Sequence, residues 1–159
     1  MGVVCGDKID LPCIDMTSNK LFNLAYYQGN YVVLYFYPKD NTTGCTSESI
    51  EFSQKYKKFS DFGAEVFGVS KDSLTSHRKF KEKYDMPFEL IADVDKKLCG
   101  IFGVLKGKSM FGKKYIGIER STFVVNSEGI LIREFRKVKV KGHVDAVLDF
   151  ISQHSHIGS

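Results

Sequence analysis

The sequence predicts an α/β fold built on a mixed central sheet, and three observations carry that prediction. Residues 31–37 (Tyr31, Val32, Val33, Leu34, Tyr35, Phe36, Tyr37) form an unbroken β-branched and aromatic run between Gly29-Asn30 and Pro38. That is the pattern of a strand buried on both faces. A helix, a second apolar strand over 64–70 and a second helix over 73–84 follow in that order, which calls for parallel pairing through right-handed crossovers. Later, 116–125 and 130–138 flank Asn126, Ser127, Glu128 and Gly129, the composition of an antiparallel hairpin turn.

Each element has its own warrant. Ahead of the central strand, Gly6, Pro12, Ser18 and Gly29 punctuate short strands, with a small hairpin expected over 13–24 at the domain edge. After Pro38 comes a polar loop of Asn41, Thr42, Thr43 and Gly44. Ile50, Phe52, Tyr56, Phe59 and Phe62 then share one helical face, and Gly63 is suited to the C′ position that closes the helix. Cys45 therefore falls in the first turn, where unpaired N–H groups and the helix dipole favour an anion, here a thiolate. The 73–84 helix turns Leu74, His77, Phe80 and Tyr84 inward, so His77 reads as packing. A short strand over 87–92 and a helix over 95–102 burying Leu98, Ile101 and Phe102 come next. Residues 103–117, with glycine and lysine around Met110 and Phe111, are expected to be an exposed mobile loop and a wall of the site. In the basic run 133–141, Lys137, Lys139 and Lys141 alternate with Val138 and Val140, as along a strand edge with one wet face. A closing helix over 142–153 directs Val144, Val147, Leu148 and Ile151 to the core.

A chain of 159 residues with 43% apolar residues and a net charge of +4 fits one domain over residues 1–159 and argues against disorder. Its aromatics fall in core patterns, which leaves no stacking platform for a nucleic acid. No run approaches a membrane span and no leader is evident, so no membrane partner and a cytoplasmic address are expected. Gly2 begins no myristoylation motif, because Gly6 stands where Ser or Thr is needed. The four cysteines, Cys5, Cys13, Cys45 and Cys99, include no C-x-x-C pair. They are expected as thiols in a reducing compartment, any disulfide being catalytic or transient. His154 and His156 offer two ligands without a third, so neither a metal nor a cofactor is expected.

Pro38, Thr42 and Cys45 stand in the spacing P-x-x-x-T-x-x-C, which resembles the active-site signature of the peroxiredoxins. Tyr35 to Asp40, with Gly44, Cys45, Thr46 and Glu48, is similar to the Q-type, or bacterioferritin comigratory protein, branch. The likeness continues through Phe67, Gly68, Val69, Ser70 and Asp93, through Phe102, Gly103 and Val104, and through Gly112, Lys113, Lys114 and Tyr115 into Gly117, Ile118, Glu119, Arg120, Ser121, Thr122 and Phe123. It runs from Gly6 to the C-terminal helix. The resemblance implies a single thioredoxin-like domain of the AhpC/TSA type. It also implies a thiol-dependent peroxidase that reduces hydrogen peroxide and organic hydroperoxides to water and alcohols.

On the same basis Cys45 attacks the peroxide, Thr42 orients it, Arg120 supplies donors to the thiolate and the developing oxyanion, and Pro38 shields the sulfur. A free thiol is about 3% ionised at pH 7, so full ionisation gains only about thirtyfold, and aligned donors must supply most of the acceleration. The competing readings are an inert buried thiol for Cys45, a cap for Thr42, and an ion pair with Glu119 or Glu48 for Arg120. Glu48 itself is read as a helix-start acid outside the site.

Two positions depart from the branch. Ile50 occupies the place, five residues after Cys45, of a common resolving cysteine, and Thr43 that of a common proline. The expectation is a one-cysteine cycle in which thioredoxin, glutaredoxin or glutathione returns the sulfenic acid to the thiol. Cys99, Cys5 and Cys13 are the alternatives for a resolving role. Other expected properties are a monomer or weak homodimer. The competing functions are a thiol-disulfide oxidoreductase, which wants C-x-x-C, and a redox-sensing or chaperone-like module.

Overall fold

The computed structural model of the chain describes residues 3–154; Gly2 and His156 lie outside them. The elements are β1 (Ile14–Met16), β2 (Lys20–Phe22), a 3-10 turn (Leu24–Tyr27), β3 (Tyr31–Phe36), α1 (Thr43–Asp61), β4 (Ala64–Ser70) and α2 (Leu74–Lys83). They continue with β5 (Leu90–Ala92), α3 (Lys97–Phe102), β6 (Leu105–Met110), β7 (Lys113–Ile118), β8 (Ser121–Val125), β9 (Leu131–Phe135) and α4 (His143–His154). Seven strands form one sheet in the order β2-β1-β5-β4-β3-β8-β9. The β3–β4 and β4–β5 pairs are parallel, while β8 and β9 add antiparallel and β1 and β2 make the N-terminal hairpin at the other edge. This is the mixed sheet with flanking helices that the order of elements implied.

Alternation along β3 sorts two cores. Val32, Leu34 and Phe36 face the side covered by α3, where Leu98, Cys99 and Phe102 are buried. Val33, Tyr35 and Tyr37 face the other side, with Phe52 and Phe59 of α1, Val144, Val147 and Ile151 of α4, and Cys45. Cys45 and Cys99 therefore lie against opposite faces of the sheet.

Several expectations need correction. Residues 103–117 are exposed, but they are not an irregular loop: β6 and β7 pair from Leu105↔Ile118 to Met110↔Lys113 as a separate hairpin. Its two-residue turn is Phe111-Gly112, both at positive φ (52° and 78°), and lacks the Asn-Gly or Asp-Gly cue that sequence reading depends on. The strand expected over 116–125 is broken at Glu119 and Arg120. Ile116, Gly117 and Ile118 belong to β7, and the corner lets the chain cross from the hairpin into the central sheet. The basic run is not a strand, because β9 stops at Phe135 and Lys137 has φ 51°. Its alternation survives as exposed lysines and half-buried Val138 and Val140, anchored by Val138 N–H donating to the Arg120 carbonyl at 3.0 Å. Ile50 and Ile101 are only half-buried. The buried stripe of α1 runs instead through Cys45, Glu48, Ser49, Phe52 and Phe59. Gly63, at φ 73°, closes α1 as expected.

Candidate active site

β3 ends at Phe36, and Tyr37 and Pro38 carry the chain over the edge of the sheet into the loop before α1. Asp40 pins that loop. Its carboxylate accepts from Tyr37 OH (2.6 Å) and Ser76 Oγ (2.7 Å) and lies 2.8 Å from His77 Nδ1. The Asp40 N–H donates to Asp72 Oδ2 at 2.9 Å, and His77 Nε2 lies 3.0 Å from the Ile91 carbonyl. His77 is buried, as read from its spacing, and also ties α2 and β5 to the loop that precedes the cysteine. Sequence reading missed this second role.

Thr42 is the N-cap of α1, with φ −84° and ψ 155°. Its Oγ1 is exposed and donates to the Lys39 carbonyl at 2.8 Å, which leaves oxygen lone pairs free to accept. Pro38 is half-buried, two residues beyond the end of β3. Gly44 has a steric reason to be glycine: a Cβ there would lie 3.1 Å from Arg120 Nη2.

Cys45 occupies the third position of α1 and is fully buried. Arg120 comes from the corner between β7 and β8 and donates from Nη2 to Cys45 Sγ at 3.4 Å. Its Nη1 donates to Glu48 Oε1 at 2.6 Å. One guanidinium thus spans the sulfur and a carboxylate lying along the same helix, on the planar fork that Arg offers and Lys lacks. The ion-pair reading of Arg120 with Glu48 and the reading that places it at the sulfur describe the same side chain.

Glu48 is the residue the sequence did not assign to the site. An acid one turn into a helix ordinarily answers to the dipole, yet here its side chain is fully buried. Burial pushes the carboxyl up to about 7, against the lowering pull of Arg120. Its Oε2 has no hydrogen-bond partner among the described residues and lies 3.9 Å from His143 Nε2. His143, at the start of α4, is within 2.7 Å of Thr122 Oγ1 through Nε2. Burial and the nearby Arg120 charge push it down to about 4. Nothing in the sequence distinguished His143 from a helix-start polar residue. Burial pulls the Arg120 guanidinium down, but the charges of Glu48 and Cys45 push it above its usual value.

The other thiols stand elsewhere. Cys99 is a buried residue of α3, and burial, reinforced by Asp93, pushes it well up. Cys5 and Cys13 are exposed. Burial, with Glu134, raises Cys5.

The AhpC/TSA family model matches residues 6–134. Peroxiredoxin Bcp of Bacillus subtilis (strain 168) is 51% identical over 132 residues, which cover 83% of this chain and 84% of that one. Peroxiredoxin Bcp of Xanthomonas campestris pv. campestris is 44% identical over 146 residues, with 92% and 91% covered. Among solved structures, Xanthomonas campestris peroxiredoxin Q superposes at a TM-score of 0.87 and 41% identity, covering 92% of this chain and 97% of that one. A Xylella fastidiosa PrxQ mutant superposes at 0.93 and 36% identity, covering 98% and 99%. The thioredoxin-like architecture is therefore shared over nearly the whole chain, and so is much of the sequence laid on it. On these grounds the chain belongs to the AhpC/TSA family, as a peroxiredoxin of the Bcp (PrxQ) branch.

Proposed function

We propose that Cys45 is the peroxidatic thiol of a thiol-dependent peroxidase acting on hydrogen peroxide and organic hydroperoxides, from a single domain running the length of the chain. The observation that carries this reading is the 3.4 Å contact from Arg120 Nη2 to Cys45 Sγ in the first turn of α1. The alkyl peroxide reduction activity of the Xanthomonas campestris bacterioferritin comigratory protein, with its trapped intermediate and ligand complexes, supports the substrate class.

The thiolate attacks the terminal oxygen of the peroxide. An S–O bond forms, the O–O bond breaks, and the departing alkoxide or hydroxide takes up a proton to leave as alcohol or water. Arg120 stabilises both the thiolate and the charge that builds on the leaving oxygen, in a buried setting where such donors act most strongly. Thr42 Oγ1 accepts a hydrogen bond from the peroxide O–H, and this fixes the direction of approach. Because Cys45 is fully buried, admission of substrate requires the exposed 41–43 segment or the guanidinium to yield locally.

The sulfenic acid then condenses with an external thiol, releasing water. A second thiol displaces Cys45 from the mixed disulfide. Ile50 in the near position and Cys99 behind the sheet support this one-cysteine cycle, since a disulfide needs Cα atoms within about 7 Å. A thioredoxin, glutaredoxin or glutathione system is the reductant class. Among the described residues no helix is long and apolar enough to cross a membrane, and we assign a cytoplasmic monomer or weak homodimer.

The test is NADPH consumption with peroxide and each thiol system, for the wild type, Cys45→Ser and Cys99→Ser. Sustained turnover that Cys45→Ser abolishes and Cys99→Ser leaves within about twofold supports the cycle. A single oxidation event without steady consumption would instead indicate a redox sensor. A stoichiometric Cys45–Cys99 disulfide in peroxide-treated protein would refute the external-thiol step.

A further inference from the structure

The β6–β7 hairpin departs from the local rules that the rest of the chain obeys. Its turn places Phe111 at φ 52° and Gly112 at φ 78°, a type I′ geometry whose first position favours Asn, Asp or Gly. A phenylalanine there carries backbone strain and recovers no packing, because its side chain is 97% exposed. Met110 next to it is 56% exposed, and Tyr115 and Ile116, farther down β7 behind Lys113 and Lys114, are 42% and 53% exposed. An isolated two-stranded hairpin is marginal in water, and this one forms a sheet of its own, outside the seven-stranded one. Local choices that break the rules without a return inside the fold mark function.

Charge says what the tip meets. From Lys96 to Ile118 the sequence has six lysines and no acidic residue. Lys106, Lys108, Lys113 and Lys114 lie on the two strands behind the apolar tip. Lys106, Lys113 and Lys114 are exposed, while Lys108 Nζ donates to the Ile118 carbonyl at 3.1 Å. An apolar apex with a collar of cations is the chemistry of an interfacial anchor: the ring enters the acyl boundary while ammonium groups meet anionic headgroups. A protein partner would have to supply a pocket for a convex, fully exposed ring. A lipid surface accepts it without one.

We propose that the β6–β7 hairpin docks this protein peripherally on anionic phospholipid bilayers, with Phe111 as the inserted residue and the hairpin lysines as the headgroup contacts. The expectation of no membrane partner rested on the absence of a span, and peripheral docking needs none. The proposal is independent of the chemistry at Cys45, and its test reads binding rather than turnover.

The chain contains no tryptophan, so Phe111→Trp installs a single indole at the tip. Its emission should shift to the blue with vesicles of phosphatidylcholine and phosphatidylglycerol, and stay unshifted with phosphatidylcholine alone. In co-sedimentation the wild type should bind the mixed vesicles at least about tenfold more tightly than neutral ones and release them as salt is raised. Phe111→Asn suits the turn, so it should keep or raise the thermal midpoint while weakening vesicle binding about tenfold. Lys113→Glu with Lys114→Glu should weaken binding to mixed vesicles alone. Wild-type protein that stays in the supernatant with mixed vesicles, or a Phe111→Asn variant that binds them as the wild type does, overturns the proposal. Binding to an acidic thiol-donor protein without binding to vesicles overturns it equally.

Discussion

The side chain on which the site turns is Arg120, because its fork reaches the Cys45 sulfur and the Glu48 carboxyl at once. Nη2 reaches Cys45 Sγ and Nη1 reaches Glu48 Oε1, so the carboxylate fixes the fork that the sulfur uses. A lysine keeps the charge but offers one compact donor centre where two separated, coplanar donors are needed. Arg120→Lys is therefore expected to lower the second-order rate with peroxide about a hundredfold, the scale of losing one oriented donor, while thermal stability changes little. Stopped-flow oxidation of the single-turnover enzyme measures this, and a rate within about threefold of the wild type would remove Arg120 from the chemistry. The meeting of Arg120 with Cys45 was legible because the spacing of Thr42 and Cys45 and the Arg-Ser-Thr-Phe strand together resemble one family. Glu48 was not legible. An acid near a helix start has an ordinary explanation in the dipole, and only the packing of α4 over α1 makes it a buried partner instead.

At the scale of elements, the cysteine-bearing helix is held to the sheet by a stack of rings. Tyr35 of β3 stacks on Phe52 of α1 with centroids 4.5 Å apart, and its hydroxyl is within 2.9 Å of Ser49 Oγ. The stack fits because β4 passes beneath it at Gly68. A Cβ there would lie 2.7 Å from Leu90 Cδ2 and 2.8 Å from Tyr35 Cζ. Gly68→Ala should cost about 1–3 kcal/mol of stability by overpacking, and urea denaturation with an unchanged m-value would register it. An unaltered midpoint would mean that the ring and the leucine yield without strain. The strands β3 and β4 were legible to within a residue because unbroken apolar runs leave few alternatives. The β6–β7 hairpin was not, since its turn uses Phe111 and its strands carry glycine and lysine in place of β-branched residues. The basic run kept its period of two without its hydrogen-bond ladder, and alternation alone does not distinguish these cases.

At the scale of the whole molecule, two buried titratable groups give opposite pH dependence. Glu48 is raised to about 7, so the fold keeps a proton that the unfolded chain sheds, and its contribution to stability is lost as pH rises from about 4.5 through 7. His143 is lowered to about 4, so the unfolded chain binds a proton that the fold refuses, and its contribution is lost as pH falls from about 6.5 through 4. Each shift corresponds to about 3 kcal/mol, and over the shared window the two slopes cancel. Glu48→Gln removes one of them. Its stability should then climb by about 3 kcal/mol between pH 4 and 6.5, where the wild type is nearly flat. Parallel wild-type and variant curves from denaturation across that range would show that Glu48 does not hold its proton.

The sequence by itself determined the strand–helix alternation from β3 to α2, the double burial of the central strand and the position of Cys45 at the head of a helix. Each of these follows from side-chain periodicity and local capping, which are written in adjacent residues. The tertiary structure alone decided which carboxylate shares the guanidinium, that His143 stands behind it, and that the sheet separates Cys45 from Cys99. Those facts depend on how elements distant in the chain pack face to face, and no local pattern encodes which faces meet.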